Sequence, residues 1–147
     1  MADLLLVVRL AGRRIAFPAT DAEGVVELEG LTPAPCAAPH VAGLSALRSR
    51  VLTVIDGRMA LGAGKAGDGA LASAVIVPSG GHPYALLVDE VEDVVEGSAV
   101  APLAAPAGPG WDRVALGMVE AGGDPLLLVD PHALIAGPAA PAAQAVS

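Results

Sequence analysis

The large apolar side chains of this chain come in short runs, each soon closed by glycine, proline or aspartate. That punctuation is the signature of an all-β chain, because strands run about five to six residues and tight turns need glycine's freedom at positive φ. Leu4–Leu10, Ala11-Gly12 and Arg14–Phe17 read as one hairpin. Ala74–Val77, Ser79-Gly80-Gly81 and Tyr84–Val88 read as a second. Val114–Val119, Ala121-Gly122-Gly123-Asp124 and Leu126–Val129 read as a third. Val41–Leu47 and Arg50–Ile55 add two strands that meet near Arg48 and Ser49, and Val25–Leu28 adds another. Leu71–Val77 also reads as strand rather than helix.

Three strands end alike, VLTVID at Asp56, YALLVD at Asp89 and LLLVD at Asp130. A short amphipathic run follows each: GRMAL, EVEDVV and PHALI. An aspartate there is expected to cap a short helix by accepting a bond from an orphan N–H, and Pro131 suits the first helical position. Glu90, Glu92, Asp93 and Glu96 then form the wet face of a short helix or turn. With nine or ten strands and no long helical pattern between them, the expected architecture is two small closed barrels or one sandwich.

At 147 residues the chain is long enough for one real core. Hydrophobic residues make up 54% but aromatics only 2%, so Val, Leu, Ile and Ala must build that core. Mean hydropathy is positive at +0.62. Even so, Leu4–Val8 and the run around Ala74–Val77 fall far short of the roughly 18 residues of a spanning helix. A net charge of −8 argues against nucleic acid, which demands a basic stripe. Bases gather at Arg9–Arg14 and Arg48–Arg58, acids at Asp21–Glu29 and Asp89–Glu96. Such clusters are solvated faces or devices that orient a protein partner. Cys36 is the only cysteine, which fits a reducing, cytoplasmic setting. The opening residues do not match a signal peptide, since Asp3 stands in the place of the basic region.

The inventory of chemistry is thin. Gly62-Ala63-Gly64-Lys65-Ala66-Gly67 matches G-x-G-x-x-G, but a strand follows it and no βαβ unit surrounds it, so it reads as a loop. His40, His82 and His132 are far apart and no pair has metal-ligand spacing; neither a metal nor a cofactor is expected. Cys36 lies among prolines and alanines and reads as an inert thiol rather than a nucleophile. Trp111 reads as a core anchor beside Val114 and Leu116, or as an interface anchor. Ser98–Gly110 reads as a connector, and residues 137–147 as a disordered tail after a single domain over residues 1–136.

The stretch HVAGLSALRSRVLTVIDGRM, His40 to Met59, places Arg48 inside an otherwise strand-like segment, where an unpaired buried charge is costly. Val41, Gly43, Leu44, Leu47, Arg48, Val51, Leu52, Val54, Ile55, Asp56 and Arg58 follow the order and spacing of the CheW family of chemotaxis coupling proteins. LLLVVRLAGRRIAFPA resembles that family's opening hairpin, YALLVDEVEDVVEG its "LLVDEVLDV" segment, and RVALGMVEAGGDPLLLVDPHALI its closing hairpin and helix. The resemblance runs from about Leu4 to Ile135. Ala46, Ser49, Thr53 and Gly57 depart from it, standing where the family has Asn, Gly, Pro and an apolar residue.

The resemblance implies two five-stranded SH3-like barrels around a shared core. It also implies a non-enzymatic adaptor without cofactor or metal, joining the regulatory domain of the kinase CheA to the cytoplasmic tips of chemoreceptors. By the same analogy Val25, Val26, Gly43, Leu44, Leu47 and Arg48 belong to the partner-binding groove. Arg48 there either meets a partner carboxylate or carbonyl, or braces the groove from within. The alternatives are a small-molecule-binding β-barrel, and a CheW-like module whose partners have changed.

Overall fold

The structure is a computed structural model, and it describes residues 3–27, 40–47, 50–62, 73–97, 100–103, 105–108 and 110–137. Cys36, Arg48, Ser49 and most of the G-x-G-x-x-G loop lie outside them, as do residues 138–147 of the expected tail.

Among the described residues, ten strands form two five-stranded sheets. The strands are β1 (Asp3–Leu10), β2 (Arg13–Pro18), β3 (Gly24–Glu27), β4 (Val41–Leu47), β5 (Arg50–Asp56), β6 (Ser73–Ser79), β7 (His82–Val88), β8 (Glu90–Gly97), β9 (Ala115–Ala121) and β10 (Asp124–Val129). Three short helices accompany them: α1 (Gly57–Ala60), α2 (Trp111–Val114) and α3 (Pro131–Ala136). A 3-10 turn, Ala19–Asp21, carries the chain from the first sheet to the second. The first sheet is a closed barrel in the order β1-β2-β10-β9-β8; the second runs β3-β6-β7-β5-β4. Each contains one parallel pairing, β2 with β10 and β5 with β7.

All three expected hairpins form. Their turns place two successive residues at positive φ, Ala11-Gly12, Gly80-Gly81 and Gly122-Gly123. This is the backbone whose twist matches that of the flanking strands. Ala11, at φ 53°, is the only non-glycine at positive φ among the described residues.

Strand alternation explains how an almost aromatic-free chain builds its cores. Leu5, Val7, Ala16, Val119, Ala121, Leu126 and Leu128 point into the first barrel. Leu52, Val54, Ala74, Ile76 and Ala85 form the matching interior of the second sheet. The alternate residues, among them Leu6, Val8, Ile15, Phe17, Ile55, Val75, Val77, Leu86, Leu127 and Val129, face outward and meet in one inter-sheet core. Strands buried on both faces read as continuous apolar runs rather than as alternation.

Two of the three strand-ending aspartates cap helices. Asp56 accepts from the N–H groups of Arg58 and Met59, and Asp130 from that of His132. The expectation fails at Asp89. Residues 90–97 continue as strand β8, paired antiparallel with β1, so Glu90, Glu92, Asp93 and Glu96 do not lie on a helix. Val91 and Val95 supply the reason, packing into the inter-sheet core and the barrel interior respectively. Asp89 instead accepts the N–H of Gly12 and braces the first hairpin turn. Val114 is likewise helical rather than the first residue of β9.

Candidate functional site

The charge clusters resolve first. Arg14 Nε lies 2.8 Å from Glu92, Arg9 lies 3.6 Å from the same carboxylate, and Arg14 reaches Asp124 at 3.5 Å. The hydrogen bond that Arg14 donates to Glu92, with the carboxylate's charge, raises the Arg14 pKa above its ordinary value. Arg9 and Arg14 of the basic cluster therefore converge on one carboxylate of the acidic cluster, that of Glu92. Its Oε2 is buried without a hydrogen bond and has only the longer Arg9 contact. Arg13 donates to the carbonyl of Ala107 and lies over the Trp111 ring, 5.3 Å from its centre. Trp111 is a half-buried anchor on the inter-sheet core, whereas Leu116 is exposed.

Arg113 is a half-buried strut that the sequence reading did not single out. Its guanidinium donates to Ala60 O at 2.7 Å and Ala133 O at 2.9 Å, joining α1 to α3 across the seam between the sheets. Burial pushes its pKa down. Bridging two backbone carbonyls of short helices is a natural use for a guanidinium fork, and Ala133 O accepts from Gly137 N–H as well. His40 plays a similar part: it is buried, with Nε2 2.8 Å from Ile135 O.

Four of the six exposed large apolar side chains among the described residues have a common address. Val25 pairs with Val75, Val94 pairs with Leu6, and both partners belong to the inter-sheet core. Leu4 shares a strand face with Leu6, and Val51 shares one with Ile55. These four are 46%, 51%, 55% and 64% exposed respectively. They are the outer margins of the two faces whose middles form the shared core. Contacts between β6 and β8, and between β1 and β7, bring those faces against each other.

The sequence-predicted site residues divide over this arrangement. Val25 stands exposed on edge strand β3, while Val26 turns inward onto the interior of the second sheet. Gly43 is buried at a register shift in β4, with φ of 153° that favours glycine. Leu44 is half-buried opposite Thr53, on the same face as Ala46 and Val51. Leu47 ends β4, opposite Arg50, and Arg48 lies outside the described residues. β3 and β4 are the two ends of the sheet order, yet Arg50 of β5 reaches Glu23 before β3 at 3.4 Å. Val26 and Ala42 also pack on one interior cluster. The second sheet is therefore curled, with its edges drawn toward each other.

No helix among the described residues is long and apolar enough to cross a membrane. A comparison with curated protein sequences finds no match. Among solved structures, the scaffolding protein TtCheW from Thermoanaerobacter tengcongensis is similar in fold, with a TM-score of 0.76 at 23% identity over 88% of this chain and 89% of that one. The family model of the CheW-like domain matches residues 4–139. That span takes in both sheets, the seam and all three helices, and the chain belongs to the CheW-like domain family.

Proposed function

We propose that this protein is a non-catalytic adaptor of a chemosensory system, located in the cytoplasm, which couples the tips of chemoreceptors to a CheA-type histidine kinase. The observation that carries this reading is the placement of Leu4, Val25, Val51 and Val94 along the margins of the inter-sheet seam. An exposed apolar strip beside a packed seam suits a helical hairpin that lays an apolar stripe along it. By the family analogy Gly43, Leu44, Leu47 and Arg48 belong to the partner-binding surface in this reading, and Val26 holds β3 in place from within. Both sheet interiors are occupied by aliphatic side chains, and no observation favours the small-molecule alternative.

The test is calorimetric titration of the folded chain with its own organism's CheA regulatory domain and, separately, with a receptor-tip fragment. Val25→Asp and Val94→Asp change exposed positions and are expected to leave the fold intact while weakening receptor binding at least tenfold. A folded wild-type chain that binds neither partner would sink the proposal.

A further inference from the structure

The fold brings together three residues that the sequence keeps far apart. Asp21 sits in the 3-10 turn between the sheets, and Asp130 and His132 lie at the start of α3. One ligand atom from each lies within 4.8 Å of the other two, and all three residues are half-buried. His132 Nε2 is 3.6 Å from Asp21 Oδ1. That is too long for a hydrogen bond. It is close to the edge of about 3.4 Å that separates two ligands held some 2.1 Å from one tetrahedral ion.

The other imidazole nitrogen is also placed. His132 Nδ1 lies 3.2 Å from Ser79 Oγ, at the end of β6. A protonated ring would make the Asp21 contact an ion pair. In the tautomer that carries its proton on Nδ1, that N–H donates to the hydroxyl and the Nε2 lone pair faces the Asp21 carboxylate. Two acceptors then confront each other, and a cation between them satisfies both. A histidine oriented through its far nitrogen is the usual arrangement of an imidazole ligand. Asp130 is fixed as well, because the oxygen that caps His132 N–H anchors the carboxyl group.

We infer that Asp21, Asp130 and His132 form a binding site for a divalent first-row transition ion, with Zn2+ the natural probe. One imidazole and two carboxylates suit such ions, while the imidazole disfavours Mg2+ and Ca2+. Three protein ligands leave further positions to water. The ion ties the crossover turn to α3 and, through Ser79, to β6, so it pins the passage between the two sheets. The inference is independent of the adaptor reading and fails or holds on its own.

The test is calorimetric and thermal titration of the full chain, without a polyhistidine tag, with Zn2+ at neutral pH. One saturable site is expected, and a hundredfold excess over its dissociation constant raises Tm by roughly 5–10 °C, reversed by chelator. Asp21→Asn and His132→Gln each weaken binding at least tenfold. His82→Ala, at the exposed turn beside Ser79, leaves it unchanged. Co2+ absorption in the visible region reads ligation in the wild-type chain without recourse to any variant. Absence of a saturable site, binding that survives both Asp21→Asn and His132→Gln, or binding lost with His82→Ala would each overturn the inference.

Discussion

The two five-stranded sheets reach nearly the same shape by different means. The first closes through its backbone, with β8 meeting β9 at Gly97 and Ala121. The second curls until its edges approach, with Val26 and Ala42 meeting on a smaller aliphatic interior and Arg50 reaching Glu23. A closed barrel has no free edge, whereas β3 and β4 end the order of the second sheet. The proposed partner residues fall mainly on that second sheet. Closure by backbone bonds suits a structural anchor, whereas the second sheet ends on two edge strands among the described residues.

The largest expected effect tests what the two sheets share. Phe17 is fully buried in the inter-sheet core, and Phe17→Ala should cost about 3–5 kcal/mol in urea denaturation. If only the first sheet loses amide protection, the shared core is not one cooperative unit.

Next comes the seam of the closed barrel. A Cβ on Gly97 would collide with Leu5 Cδ1 and come within 3.2 Å of Glu120 O. Gly97→Val should cost about 1–3 kcal/mol and speed amide exchange across β8 and β9, with little change in β4 and β5. Arg113→Met, which removes one donor from Ala60 O and one from Ala133 O, should cost a similar amount, about 1–3 kcal/mol, and loosen both sheets, since the strut joins α1 to α3.

The hairpin turns sharpen the comparison from the stabilising side. Ala11→Gly should add about 0.5–1 kcal/mol, because it relieves the single left-handed alanine in the described residues. Smallest of all is the ion pair that spans the second sheet. Arg50 and Glu23 are about half exposed, so Arg50→Ala should change stability by less than about 1 kcal/mol, and less still in high salt. A larger loss would mean that the second sheet depends on this pair for its curvature.

Much of the fold was legible because its signals are local. Glycine pairs marked the turns of the second and third hairpins, and Asp56 and Asp130 announced their helices through capping chemistry that acts over two or three residues. EVEDVVEG was misread because its partner is β1, at the far end of the chain, and only that pairing decides between strand and wet helix. α2 is a single turn, too short to show any period. The grouping of Asp21 with Asp130 and His132 had no sequence signal at all, since spacing rules see only near neighbours. Val25 was legible by resemblance, while Leu4, Val51 and Val94 emerged only once strand register showed which face each occupies.

The first barrel takes strands from both ends of the chain, β1 and β2 from one and β8 to β10 from the other. The second is drawn wholly from residues 24–88. During synthesis the interior sheet therefore has all its strands while the opening hairpin still waits for β8, β9 and β10. Until they arrive, Leu5, Val7 and Ala16 have no barrel to fill, and the outer edge of β1 is open to any neighbouring strand. Until β10 emerges, the opening hairpin is thus open to aggregation even after the second sheet has all its strands, and a chaperone that shields it would matter throughout that interval.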